Sequence, residues 1–130
     1  MKKAYLLSLC FTSLLTISMV FGQGPMQMAK PSAADKARLS KLEKAYNAAH
    51  AALVKAPNNP KAKKDFVTVG DAYANESMNS PVLTPHIKYT QALHLFREVL
   101  KVDPSDKTAK SEADLIISIY KQMGRPVPKG

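Results

Sequence analysis

The chain has 130 residues, with 19 Lys and Arg against 10 Asp and Glu, a net charge of +9 and one cysteine. Without its first 22 residues it keeps 108, a charge of +7, no cysteine and 29 apolar side chains larger than alanine. That suffices for one small domain and excludes a large multi-domain enzyme and a disulfide-held scaffold.

The 22 residues are set apart because Lys2 and Lys3 precede an apolar run from Ala4 to Phe21 that ends in Gly22-Gln23-Gly24-Pro25. A positive start, an apolar middle and a small residue at the cut form the layout of a secretory signal peptide. Residues 1–22 are therefore expected to be cleaved after Gly22, leaving the protein periplasmic or extracellular. The competing expectation is an uncleaved anchor, since the run approaches the ~20 residues that span a bilayer. Ser8, Thr12, Ser13, Thr16 and Ser18 dilute it, however, and no basic cluster follows closely. Cys10 lies mid-run behind Leu9, which does not fit a lipoprotein signal. The mature chain then has no thiol, which suits an oxidising compartment.

Residues 23–34 carry two prolines and no periodicity, and read as a flexible lead-in. Four helices are predicted after it. The first covers about 35–56, with Leu39, Leu42, Ala45, Tyr46, Ala49, Ala52 and Leu53 on one face. Ser32 and Asp35 have capping-box spacing at its start. Pro57-Asn58-Asn59-Pro60 ends it, and Asn59 with Pro60 suits the cap and first position of the second helix. That helix covers about 60–76 and presents Ala62, Phe66, Val69, Gly70 and Tyr73. Gly70 costs about 1 kcal/mol relative to alanine and so predicts a close packing contact.

Residues 77–84 read as a loop whose Met78, Val82 and Leu83 are expected to fold back over the helix ends. Thr84-Pro85 opens a third helix to about Val102, with Ile87, Ala92, Phe96, Val99 and Leu100 facing inward. Asp103-Pro104-Ser105-Asp106 repeats the stop-and-restart signal, with both aspartates read as helix caps. The fourth helix, about 104–123, carries Ala113, Leu115, Ile116, Ile117, Ile119 and Tyr120. Gly124 closes it, and Pro126 and Pro128 set residues 125–130 apart as a tail. No segment alternates as a half-buried strand would, so the class is all-α, a short antiparallel array of about four helices.

Shifting the chain by 47 residues pairs the first two helices with the last two. Ala45, Leu53, Pro57, Ala62, Lys63 and Tyr73 meet Ala92, Leu100, Pro104, Ala109, Lys110 and Tyr120 without a gap. Self-similarity at such a period marks a stacked helical array. On these residues the chain resembles the tetratricopeptide repeat family. Phe66, Val69, Gly70 and Tyr73 match the first helix of its motif, and Ala92, Phe96, Val99 and Pro104 match the second. Ala45, Ala49, Ala52 and Pro57 fit a preceding half-repeat, and Ile116, Ile117, Tyr120 and Gly124 a following one.

The resemblance covers about 45–124 and implies a right-handed stack of helical hairpins within a domain at 35–124. It departs from the family in length. Ten extra residues between Tyr73 and Ala92, and three after each closing proline, lengthen the usual ~34-residue repeat to 47. It also departs in having one complete helix pair where about three repeats are the norm, which points to self-association or a covering partner.

By the family's register, the inner groove would be lined by Lys64, Val67, Asp71 and Asn75 from the second helix. Ser111, Asp114, Ser118, Lys121 and Gln122 would line it from the fourth. Val67 and Asp71 depart from the family's carboxylate clamp, so no clamp is expected. A solvated polar face is the competing reading of the same residues.

Lys55, Lys61, Lys63 and Lys64 form a basic patch, which supports an alternative role on an anionic polymer or membrane surface. Three Arg in the mature chain, and aromatics on core faces, argue against nucleic acid. His50, His86 and His94 lack helical metal-ligand spacing, and no phosphate loop, nucleophile elbow or paired carboxylates are visible. The expectation is therefore a non-catalytic, cofactor-free module that binds a protein or peptide, or itself. A membrane role would arise only through an uncleaved leader or weak surface attraction.

Overall fold

A computed structural model describes residues 30–129, and the leader and most of the lead-in lie outside them. Four helices occur in the described residues, and no strand: α1 (Ala33–Lys55), α2 (Pro60–Asn79), α3 (Pro85–Val102) and α4 (Lys107–Gln122). They pack in chain order, α1 on α2, α2 on α3 and α3 on α4. None of them is long and apolar enough to cross a membrane.

Local chemistry sets each boundary. At α1 the Ser32 hydroxyl accepts from Asp35 N–H (3.1 Å) while the Asp35 carboxylate accepts from Ser32 N–H (3.0 Å), a reciprocal capping box. Asn59 caps α2 by accepting from the N–H groups of Lys61 and Ala62. Helix α2 runs three residues past the predicted end, so Ser77 and Met78 are helical and the loop shrinks to 80–84. The polar run does not break the helix because its side chains bond back to it. Asn75 and Asn79 donate to carbonyls four residues earlier, and Ser77 Oγ donates to Tyr73 O (2.8 Å). The helix stops at Ser80, which is extended as a residue before proline must be.

Thr84 stands at the cap position of α3 but makes no side-chain cap bond. Helix α4 starts at Lys107 rather than near Pro104. The Asp103 carboxylate instead accepts from Ser105 N–H and Oγ, which turns 103–105 away from the helix, and Asp106 caps Ala109 N–H (2.8 Å).

Three backbone hydrogen bonds of the first turn recur in the third at the 47-residue shift. Ala56 N–H donates to Ala52 O (3.0 Å), as Asp103 does to Val99 O (2.8 Å). Asn59 N–H donates to Ala56 O (3.0 Å), as Asp106 does to Asp103 O (3.2 Å). Lys63 N–H donates to Asn59 O (3.1 Å), as Lys110 does to Asp106 O (3.2 Å). The internal repeat seen in the sequence is thus a repeat of backbone geometry.

Phe66, Leu93, Phe96, Val99 and Ile116 are the largest fully buried apolar side chains, so the core centres on α3 and the faces of α2 and α4 turned to it. Gly70 has the predicted close contact: a Cβ there would lie 2.6 Å from Val99 Cγ2. Tyr46 of α1 packs its ring on Phe66 and Tyr73, with centroids 5.4 and 5.7 Å away.

Two expected core positions are corrected. Ile87 is 48% exposed and Leu115 49% exposed. Ile87 precedes Ala92 by five residues, about 140° round the helix, and Leu115 is about 100° from Ile116. The buried apolar residues of α3 include Leu93 and Leu95, and those of α4 are Ala109, Ala113, Ile116 and Tyr120. Val82 and Leu83 of the shortened loop are partly buried, whereas Met78, which packs on the core, belongs to α2.

Candidate functional site

Lys64, Val67, Asp71 and Asn75, expected to line an inner groove, follow one another along α2 at three- and four-residue steps. The four differ in burial. Lys64 is exposed; Val67 is partly buried and packs on the core; Asp71 and Asn75 are half-buried. Asn75 donates its amide to Asp71 O (3.0 Å), so its side chain is already engaged by its own helix.

Of the predicted α4 residues, Ser111, Asp114, Lys121 and Gln122 are exposed. Ser118 is partly buried and donates to Leu115 O (2.8 Å). The α2 stripe is approached instead by the α3–α4 turn, where the sequence signal was incomplete. Asp71 faces Asp106 and Asp103 of the α3–α4 turn. Those two aspartates were read only as caps, because their role opposite Asp71 depends on chain crossing that no local pattern encodes.

The electrostatics of this junction are unusual for a half-exposed surface. Burial first, then the neighbouring charges of Asp106 and Asp103, push the Asp71 carboxyl up to about 6. Its Oδ1 is buried with no hydrogen-bond partner. Asp106 is an acceptor while ionised, so Asp71 and Asp106 can share a hydrogen bond only when one of them holds a proton. Asp103, by contrast, is held below the ordinary carboxylate range by donors from Ser105, and stays an anion.

One turn towards the start of α2, a surface depression of about 360 Å³ is lined by Pro60, Lys63, Lys64, Val67, Val102 and Asp103 among others. It combines an apolar floor, two ammonium groups and an acidic edge, a mixture that suits a polypeptide surface. The basic patch is smaller than its lysine count suggests, since Lys61 is paired with Asp65 one turn on.

The histidines are scattered. His50 lies against the rings of Tyr46 and Phe66, while His86 and His94 lie on α3. Among the described residues no group of three or more His, Cys, Asp or Glu side chains is placed to hold a metal.

Sequence reasoning missed the polar cluster between α2 and α3, where Gln91 donates to Tyr73 Oη (2.7 Å) and Ser77 Oγ (3.2 Å). It also missed Arg97, which reaches the tail 31 residues on, at Pro128 O (2.7 Å). Neither has a periodic or motif signature. Comparison with family models, with curated proteins and with solved structures gives no match for this chain.

Proposed function

We propose that this is an exported, non-catalytic helical module of tetratricopeptide-like construction that binds another protein or a second copy of itself. One observation carries the reading: three backbone hydrogen bonds of one turn recur 47 residues later, in an array whose first helix buries none of its own residues. A repeated hairpin buries its apolar face on neighbours, and this array has few. Recognition would fall on the inner stripe of α2 and the adjoining depression, where Lys64, Val67 and Asp71 meet the α3–α4 turn. A partner placing a basic group against Asp71 and Asp103, and an acid near Lys64, would satisfy the charges that this junction leaves unpaired.

Light scattering and sedimentation of the purified protein, followed by crosslinking in its native setting, test this. The expected result is a concentration-dependent oligomer, or a crosslinked polypeptide lost on Lys64→Glu and Asp71→Arg. A monomer that crosslinks to nothing would overturn it.

Lys63 and Lys64, which have no ion-pair partner among the described residues, favour a second reading. In it, the basic surface binds an anionic polymer or membrane. Retention on an anionic matrix, abolished by charge reversal at Lys61, Lys63 and Lys64, would select it over protein binding.

A further inference from the structure

Helix α4 ends in a turn that sends the chain back across the array. Arg125 N–H donates to Tyr120 O and Gly124 N–H to Lys121 O, both at 3.0 Å, with Gly124 at φ 64°. This is a Schellman closure, and it needs the left-handed residue that glycine supplies. Pro126 and Pro128 then hold their own φ near −65° and bias the residues before them to extended backbone. The outcome is a short extended peptide pre-set by its own sequence.

That peptide is seated. Val127 is partly buried and packs on the core, and Arg97 of α3 donates to Pro128 O (2.7 Å). Beyond Pro128, Lys129 lines a depression of about 370 Å³ with His86, Ile87, Thr90, Gln91 and His94 of α3. Ile87, expected in the core, is the exposed apolar member of this wall, and Thr90 Oγ1 is buried without a partner. So α3 offers an apolar contact, a guanidinium aimed at a backbone carbonyl and an unpaired hydroxyl, all on the side reached by the tail. These are features of a groove for an extended peptide, in which main-chain acceptors supply affinity and an apolar side chain supplies specificity.

We infer that the outer face of α3 is a binding groove for an extended, proline-spaced segment with an apolar residue between the prolines, and that the chain's own tail occupies it as a detachable strap. The contact set is small: one apolar side chain and one charge-assisted hydrogen bond. A short tether gives the tail an effective concentration on the order of millimolar. A partner segment of the same chemistry therefore competes at comparable concentrations, and its apparent affinity falls in proportion to how rarely the strap is open. The inference goes beyond the inner-face reading and rests on other side chains.

The test uses the full chain and a fluorescent peptide of sequence Arg-Pro-Val-Pro-Lys-Gly, followed by anisotropy. Val127→Asp weakens the strap without altering the groove, and is expected to bind the peptide at least about tenfold more tightly than the unmodified chain. Adding Arg97→Ala should cost that binding about tenfold, and a peptide with both prolines replaced by alanine should bind more weakly. Pro128→Gly loosens the strap by another route and should reproduce the gain, which guards against a folding defect peculiar to Val127→Asp. Equal binding by the unmodified chain and both strap variants, with unchanged helicity, would overturn the inference. So would full retention of binding after Arg97→Ala.

Discussion

Helices α1 and α3 occupy the same place in the repeat, yet they are opposites in burial. At the 47-residue shift Tyr46, Ala48, Ala49 and Ala52 correspond to Leu93, Leu95, Phe96 and Val99. All four α3 residues are buried, while Tyr46 and Ala49 are only partly covered and Ala48 and Ala52 are exposed. The turns that follow the two helices are alike, so local conformation does not explain the contrast. Position does, because α3 has α2 on one side and α4 on the other, while among the described residues the main contact of α1 is with α2. Large apolar groups on an edge helix would leave a contiguous exposed patch, and alanine avoids that while keeping high helix propensity. The repeat is therefore a repeat of backbone, filled differently at its centre and its edge.

Substitutions at matched positions break or sharpen this contrast. The largest effect is expected at the centre. Phe96→Ala should cost about 4 kcal/mol in chemical denaturation, from lost transfer energy and the cavity left behind. Ala49→Phe, its edge counterpart, should shift stability by less than about 1 kcal/mol, because Ala49 borders an open depression of about 610 Å³. Equal costs at the two positions would mean that α1 is not an edge.

Next comes the close contact between α2 and α3. Gly70→Leu forces atoms into the space of Val99 and should cost about 3 kcal/mol, seen as a clear drop in melting temperature. Val99→Ala in the same chain should recover part of that loss if the two residues are directly coupled.

A smaller effect is expected from pH. Asp71 keeps its proton up to about 6 in the folded chain, against ~3.9 for an ordinary aspartate. The folded state thus binds more protons between those values, and stability should fall as pH rises through that window. The loss should be about 1 kcal/mol, because Asp71 keeps part of its solvent, which screens the repulsion. Asp71→Asn should flatten the slope between pH 4 and 6 and raise the melting temperature at pH 7. Asp35 and Asp103 act in the opposite sense, being held low by donors from Ser32 and Ser105. Their contribution is present above the ordinary carboxylate range and fades as pH falls through their lowered values.

The smallest effect is expected at Val54, 67% exposed at the end of α1. Val54→Ser should change unfolding free energy by less than about 0.5 kcal/mol.

Much of the fold was legible because helices are specified locally. Apolar residues at three- and four-residue steps, a Ser-to-Asp capping box and Asn-Pro or Thr-Pro starts placed all four helices, with ends shifted by up to three residues. The shifts came from polar side chains. Serine and asparagine signal loops from afar, but Ser77, Asn75 and Asn79 are reconciled to α2 by bonding back to it. Asp103 shows the reverse, holding Ser105 in a turn and delaying α4 past Pro104. The candidate site was less legible. The stripe from Lys64 to Asn75 follows from helical period alone, whereas the meeting of Asp71 with Asp103 and Asp106 depends on where the third turn crosses the second helix.

The sequence by itself determined the helices, the caps of α1, α2 and α4, the 47-residue repeat and the glycine at a close helix contact. Each of these depends on residues within one or two turns, or on a shape that only one residue type allows. The tertiary structure decided which copy of the repeat became the core, why Ile87 and Leu115 lie outside it, and where the tail goes. Those outcomes depend on how many neighbours each helix has, and so on contacts between residues far apart in the chain. The reach from Arg97 to Pro128 is the clearest case, since nothing near either residue announces the other.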